Sequence, residues 1–198
     1  QQVNGLKAVA PVVGSPVTLV AGTQNWSSTV SGTTNDYFIS GNWKIAAGRQ
    51  FSDDEERAGK AVCVIGNTVR AELFGAGNPV GSSIRVKTFD CEVIGLLVAK
   101  GQGGMGQDQD DTVLMPLRTT QRRLTGSLDI GNVMVSLKDG TDATVAIAQL
   151  RSLLRERRKL AENADDNFNV MDTKQIAETL SGTIGTMTAL LGAVAAVS

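Results

Sequence analysis

Residues 99–111 read Ala99-Lys100-Gly101-Gln102-Gly103-Gly104-Met105-Gly106-Gln107-Asp108-Gln109-Asp110-Asp111. Gly101, Gly103 and Gly106 have the spacing G-x-G-x-x-G, and the apolar run from Cys91 to Val98 reads as a strand leading into them. A strand, this turn and a helix opening at the last glycine would make a dinucleotide-binding fold, with the pyrophosphate held at the helix N-terminus. No helical pattern follows. The chain runs through Asp108, Asp110 and Asp111 into Val113-Leu114-Met115 and stops at Pro116. Three carboxylates beside the glycines repel a phosphate. The motif in this context therefore reads as a mobile loop between two strands.

The segments around the loop carry the same short-strand texture. Val17–Val20 and Ser28–Ser31 flank a turn at Gly22–Asn25. Thr33–Ile39 starts with polar residues suited to capping a short helix, and Ser52-Asp53-Asp54-Glu55 is a candidate capping box. Ala61–Gly66 is a continuous apolar run expected to be a buried strand, and Asn67 is placed to cap a helix over 68–74 that ends at Gly75. Ser83–Lys87 alternates, turns near Thr88–Asp90 and returns as 92–98. In the last third, Asn132–Lys138 reads as a strand and Thr141 as the cap of a long helix. Ala146, Ile147, Leu150, Leu153 and Leu154 form that helix's apolar stripe. Phe168–Met171 reads as a second strand, which makes a β-α-β unit with a crossover long enough for parallel pairing.

Composition narrows the function. The 198 residues carry a net charge of −1 and only 4% aromatics, so neither a basic field nor a set of stacking platforms points to nucleic acid. There is no histidine, which removes the commonest general base and zinc ligand. No phosphate-binding G-x-x-x-x-G-K-[ST] and no G-x-S-x-G nucleophile turn occurs. Counting leaves a Ser–Lys or paired-carboxylate enzyme open, but no pattern points to one, and the expectation is a chain with no catalytic residues, no cofactor and no metal of its own. It starts Gln1-Gln2 without an initiator Met, and Ile184–Ser198 contains no charge. Both ends suggest a piece of a longer protein, the second one the start of a membrane helix over 183–198.

Four groups of side chains stand out. Asp108 and Asp110 have the opening spacing of a calcium loop, but Thr112 breaks it and no glycine follows. Gln107, Asp108, Asp110 and Asp111 are better suited to contact with a partner protein. Cys63 and Cys91 lie in strand-like runs; they are either buried free thiols or, in an oxidising compartment, a disulfide. The cluster Arg155–Lys159 reads as a solvated helix end with cations where the helix dipole favours them.

Several segments in order resemble the periplasmic core domain of MacB-type, FtsX-like ABC transporter permeases. They are Asn35–Phe38, Ala47–Ser52, Ala61–Gly66, Leu73–Gly75, Pro79–Gly81, Ile94–Leu96 and Asp110–Pro116. The resemblance implies an α+β fold with two lobes: a discontinuous porter-like lobe with a β-α-β unit, here 1–44 and 118–175, and an inserted mixed α/β sabre lobe, 45–117. It implies a domain outside the cytoplasmic face of a bacterial inner membrane, in a permease that forms a homodimer. The ATPase is cytoplasmic, and ATP-driven movement is relayed through the periplasmic domains. In that family the partners are a periplasmic adaptor and an outer-membrane exit duct for export of drugs, peptides or toxins. Relatives instead extract lipoproteins or regulate cell-wall hydrolases.

Overall fold

The structure is a computed structural model that describes residues 3–103 and 106–172. The described residues divide into two compact units, one formed by 6–138 and the other by 3–5 with 139–172.

In the larger unit, β1 (Leu6–Ala21) and β2 (Gln24–Thr33) form a long antiparallel hairpin turned at Gly22 and Thr23. Then come α1 (Asp36–Ser40), β3 (Ile45–Gly48), α2 (Asp53–Ala58), β4 (Val62–Ile65) and α3 (Asn67–Phe74). β5 (Ser83–Val86) and β6 (Phe89–Leu97) make a second hairpin, followed by β7 (Thr112–Pro116) and α4 (Leu117–Thr120). A π-helical turn, Gln121–Thr125, leads to β8 (Asn132–Leu137). The class is α+β, as expected.

The pairings close on themselves. β1 pairs β2, β2 pairs β7 in parallel, and β7 pairs β4; β4 pairs β6 in parallel, β6 pairs β5, and β5 returns to β1. A closed ring leaves no exposed edge among its six strands. β3 adds to β6 outside the ring, and β8 pairs with the first half of β1 as a separate ribbon. Pro11 and Pro16 lie inside β1, whose first half pairs with β8 and second half with β2.

Alternation along the strands sorts the apolar side chains into two cores. Cys63, Ile65, Val93, Val113 and Met115 point to one side, where Val69 and Leu73 of α3 join them. Val62, Val64, Ile94, Leu97 and Leu114 point to the other, under Phe38, Trp43 and Phe51. β4 is thus buried on both faces, which explains its unbroken apolar run. The Phe38 and Phe51 rings meet edge to face with centroids 5.7 Å apart. In this way two of the sequence segments that carried the resemblance are packed together.

The capping box is present. Ser52 Oγ accepts from Glu55 N–H, and the Glu55 carboxylate accepts from Ser52 N–H at 2.8 Å. That carboxylate also takes both arms of the Arg49 guanidinium at 2.7 and 2.9 Å. The Arg49 hydrogen bonds hold the Glu55 carboxyl down to about 2, well below its usual range, with Ser52 adding to the effect against the cost of burial.

Two expected caps move by one residue. α3 is preceded by Gly66 with no side-chain cap; Asn67 Oδ1 instead accepts from Arg70. In the smaller unit, α5 (Ala143–Arg157) is capped by Asp142, not Thr141, through bonds to Thr144 and Val145 N–H. Phe168–Met171 is not a strand; residues 161–172 are turns and irregular chain. The reason is local. The Arg155 guanidinium donates to the Ala161 and Glu162 carbonyls and to the Asp166 carboxylate. Arg158 donates to Asn167 and lies 5.6 Å from the Phe168 ring centre. These two arginines gather the segment into a compact loop, so they are not a plain solvated helix end. No helix among the described residues is long and apolar enough to cross a membrane. The expected membrane-helix start at 183–198 lies outside those residues.

Candidate functional site

The loop between β6 and β7 is a braced hairpin. Gln102 and Asp108 form an antiparallel bridge, Gly103 N–H donates to the Gln107 carbonyl at 2.8 Å, and Gln109 N–H donates to the Gly101 carbonyl at 3.1 Å. As expected, no helix follows the glycines: residues 107–111 are a bridge and a turn leading into β7. Among the described residues, the helix that a phosphate cradle needs does not follow the glycines.

The three aspartates have three separate internal tasks. Asp110 is buried, 4% exposed, and its two carboxylate oxygens accept from Lys100 N–H at 2.8 Å and Gly101 N–H at 2.9 Å. A carboxylate that accepts two backbone N–H groups is a strong, charge-assisted brace. Asp108 accepts from Asp110 N–H at 2.8 Å and from the Thr68 hydroxyl of α3 at 2.6 Å. Asp111 accepts from the Trp26 indole of β2 at 3.0 Å. The loop is therefore fixed to its own strand, to α3 and to β2. The loop expected from the sequence to be mobile has a stem held by these internal bonds.

The backbone tightens the same junction. Gly66 N–H donates to the Thr112 carbonyl, and Thr68 N–H to the Asp110 carbonyl. A Cβ on Gly66 would stand 2.1 Å from the Asp110 carbonyl oxygen. Only glycine lets the end of β4 pass so close to the loop. On the other side of the stem, the Lys100 ammonium lies 3.7 Å from the Trp43 ring centre and donates to the Gly41 carbonyl. Burial lowers the Lys100 pKa, opposed by the attraction of Asp110. Lys100 thus ties the stem to the turn after α1.

Bracing leaves a defined outward surface. Gln102, Gly106, Gln107 and Asp108 are exposed, whereas Asp110 is buried and Asp111 half-buried. Of the four residues expected to face a partner, the structure turns Asp110 inward and keeps Gln107 outward. The sequence reading missed Trp26, Thr68, Lys100 and Trp43, whose roles come from strand and helix positions 40 to 85 residues away from their partners or across a turn not visible in periodicity. The only available signal was indirect: an unpaired acid run beside a strand end needs donors.

Cys63 and Cys91 are free, fully buried thiols. The register sets them diagonally across neighbouring strands. Cys63 lies opposite Val93, two residues beyond Cys91 on the neighbouring parallel strand. Cys63 donates instead to the Glu92 carbonyl at 3.5 Å. Burial, with Cys91 beside it, raises the Cys63 thiol pKa well above its ordinary value. Among the described residues, no group of three or more Cys, Asp or Glu side chains is placed to hold a metal ion.

Comparison with known proteins gives a consistent result. Residues 1–153 match the family described as MacB-like periplasmic core domain. The macrolide export ATP-binding/permease protein MacB of Chlorobium luteolum is 36% identical over 190 residues, 96% of this chain and 28% of that protein. MacB of Bdellovibrio bacteriovorus is 33% identical over 198 residues, 100% of this chain and 30% of that protein. The chain thus spans less than a third of the length of these relatives. Among solved structures, the periplasmic region of MacB from Actinobacillus actinomycetemcomitans superposes with a TM-score of 0.75 at 23% identity, covering 90% of this chain and 77% of that one. The extracellular domain of the ABC-type transporter YknZ from Gram-positive bacteria gives 0.68 at 21% identity, with 81% and 80% covered.

Proposed function

The chain belongs to the MacB-like periplasmic core domain family, and from this we propose that it is the part of an ABC transporter permease that docks an adaptor and relays ATP-driven movement. ATP binding and hydrolysis belong, in this reading, to a separate cytoplasmic domain or subunit. The permease is a homodimer in a bacterial inner membrane, with this domain on the periplasmic or extracellular side. The exported cargo is a drug, peptide or toxin, and the adaptor connects to an outer-membrane exit duct. The curated relatives are named as macrolide exporters, which supports export as the class of activity.

One observation in the structure carries the docking part: the hairpin 100–111 is braced from inside by Asp108, Asp110 and Asp111. Gln102 and Gln107 are left outward on a preformed surface. A surface already fixed in its binding shape loses little conformational freedom when a partner seats on it. The division into a porter-like lobe (1–44 and 118–175) and an inserted sabre lobe (45–117) is part of the same proposal.

The test is site-specific photocrosslinking in the full permease with its native partners. A photoreactive residue at position 107 should capture the adaptor. The same group at Arg85, on the exposed side of β5, should not. Adaptor capture from Arg85 but not from position 107 would remove the hairpin from the docking surface. Capture of a lipoprotein chaperone or a cell-wall hydrolase would move the chain to another branch of the superfamily.

A further inference from the structure

The residues just before β1 are bound to the start of α5, although 136 to 145 residues separate them in sequence. Asn4 N–H donates to the Gln149 side-chain oxygen at 3.3 Å. The Thr141 hydroxyl donates to the Gly5 carbonyl at 3.4 Å. Gly5 has φ +80°, and a Cβ there would stand 2.5 Å from Thr141 Cγ2. The close approach therefore depends on glycine twice, for its backbone angle and for the missing side chain. Thr141 is itself placed by the Asp142 cap, whose carboxylate accepts from Thr144 and Val145 N–H. Asn4, Gly5, Thr141, Asp142, Val145 and Gln149 line a cleft of about 310 Å³ at this joint.

We infer that Asn4–Gly5 and the first two turns of α5 form a latch, which makes the chain leading into β1 and helix α5 move as one body. The inference rests on the relay reading above, in which movement reaches this domain along the chain. The physical reason is simple. A free segment before β1 would absorb a displacement by changing its own φ and ψ angles. A segment held by one backbone donor, one backbone acceptor and a contact only glycine permits must pass the displacement to α5. The two hydrogen bonds take successive residues, the Asn4 N–H and the Gly5 carbonyl, so the segment is held at two points.

The experiment uses the full-length permease in membranes. In one arm, Asn4→Cys and Val145→Cys, which line the same cleft and leave both hydrogen bonds of the joint in place, are introduced together and treated with a short bifunctional maleimide; Cys63 and Cys91 are buried and do not compete. The latch predicts the same crosslink yield without nucleotide and in the ATP-trapped state. A yield that falls several-fold in either state shows that the joint opens, and the latch is then wrong. In a second arm, spin labels at Arg157→Cys, at the exposed end of α5, report the spacing between the two copies in both states. Gly5→Ala and, separately, Gln149→Leu should at least halve the ATP-driven change in spacing while the ATPase rate stays within twofold of the parent. An unaltered change in both variants overturns the latch. The relay reading has its own readout: no ATP-driven change in the labelled but otherwise unaltered permease sinks that reading. The crosslink yield still decides whether the joint is closed.

Discussion

Asp110 accepts hydrogen bonds from the backbone N–H groups of Lys100 and Gly101, while Arg155 donates to the backbone carbonyls of Ala161 and Glu162. The acid run 108–111 and the basic run 155–159 thus close their loops with opposite halves of the peptide unit. They differ in depth and reach. Asp110 is buried, and its neighbours connect to β2 and α3, 85 and 40 residues away. Arg155 is partly exposed and its partners all lie within 11 residues. Asp110's own partners lie 10 and 9 residues away; the reach comes from Asp108 and Asp111, which fix the loop to α3 and β2. Local, wetter braces shape a loop without tying it to anything distant. The comparison teaches that the sign of a charge run says little about its task; what matters is which unpaired peptide groups lie nearby.

The largest expected effect is at the buried brace. Gly66→Ala places a methyl against the Asp110 carbonyl oxygen, with backbone on both sides, and should cost about 3 kcal/mol of stability by overpacking. Asp110→Ala removes the buried carboxylate that accepts from the Lys100 and Gly101 N–H groups; both donor residues are exposed and regain part of the bonding from water, so the cost should be about 2 kcal/mol. Both are measured by chemical denaturation of the 198-residue chain. If Asp110→Ala costs less than Arg155→Ala, the ranking of the two braces is reversed.

Next comes the Glu55 carboxylate, a third brace that joins β3 to α2 through Arg49. Its carboxyl titrates at about 2 in the fold against 4.5 ordinarily. Because the folded value is the lower one, its contribution is complete above pH 4.5 and is lost as pH falls toward 2. Arg49 is more than half exposed, so solvent screening reduces the gain to about 1–2 kcal/mol. Glu55→Gln should therefore be less stable than the parent at pH 7, and the two should converge near pH 2. A gap that stays constant over this range would contradict the ion-pair origin.

The smallest effect belongs to the local brace. Arg155→Lys keeps the charge but loses the fork that reaches Ala161, Glu162 and Asp166 together. Amide exchange over 160–167 should quicken about fivefold, corresponding to about 1 kcal/mol of local opening, with the 6–138 unit unaffected. Faster exchange spreading into β4 would show that this loop is coupled to the ring after all.

Much of the architecture was legible from the residues. The unbroken run Val62–Ile65 announced a strand buried on both faces, and Ser52 with Glu55 announced the capping box. The β5–β6 hairpin followed from alternation around Thr88. The ring closure was not legible, because the β1–β5 and β2–β7 pairings join residues far apart in sequence and leave no local pattern. β1 reads as short because Pro11 and Pro16 interrupt the strand signal. Phe168–Met171 has strand propensity, but Arg155 and Arg158 hold its flank in a turn. At the candidate site, the acid residues were identified and their orientation was not. Orientation depended on Trp26, Thr68 and the Lys100 amide, which only the folded chain brings together.

The central claim is that the 100–111 hairpin is held from inside before any partner arrives. The direct measurement is amide hydrogen exchange at Lys100 and Gly101 in the isolated 198-residue chain. The account predicts that both amides exchange at least a hundredfold more slowly than in an unstructured peptide, and that Asp110→Ala removes the protection. Exchange at the unstructured rate in the parent chain would show that the acids do not brace the loop.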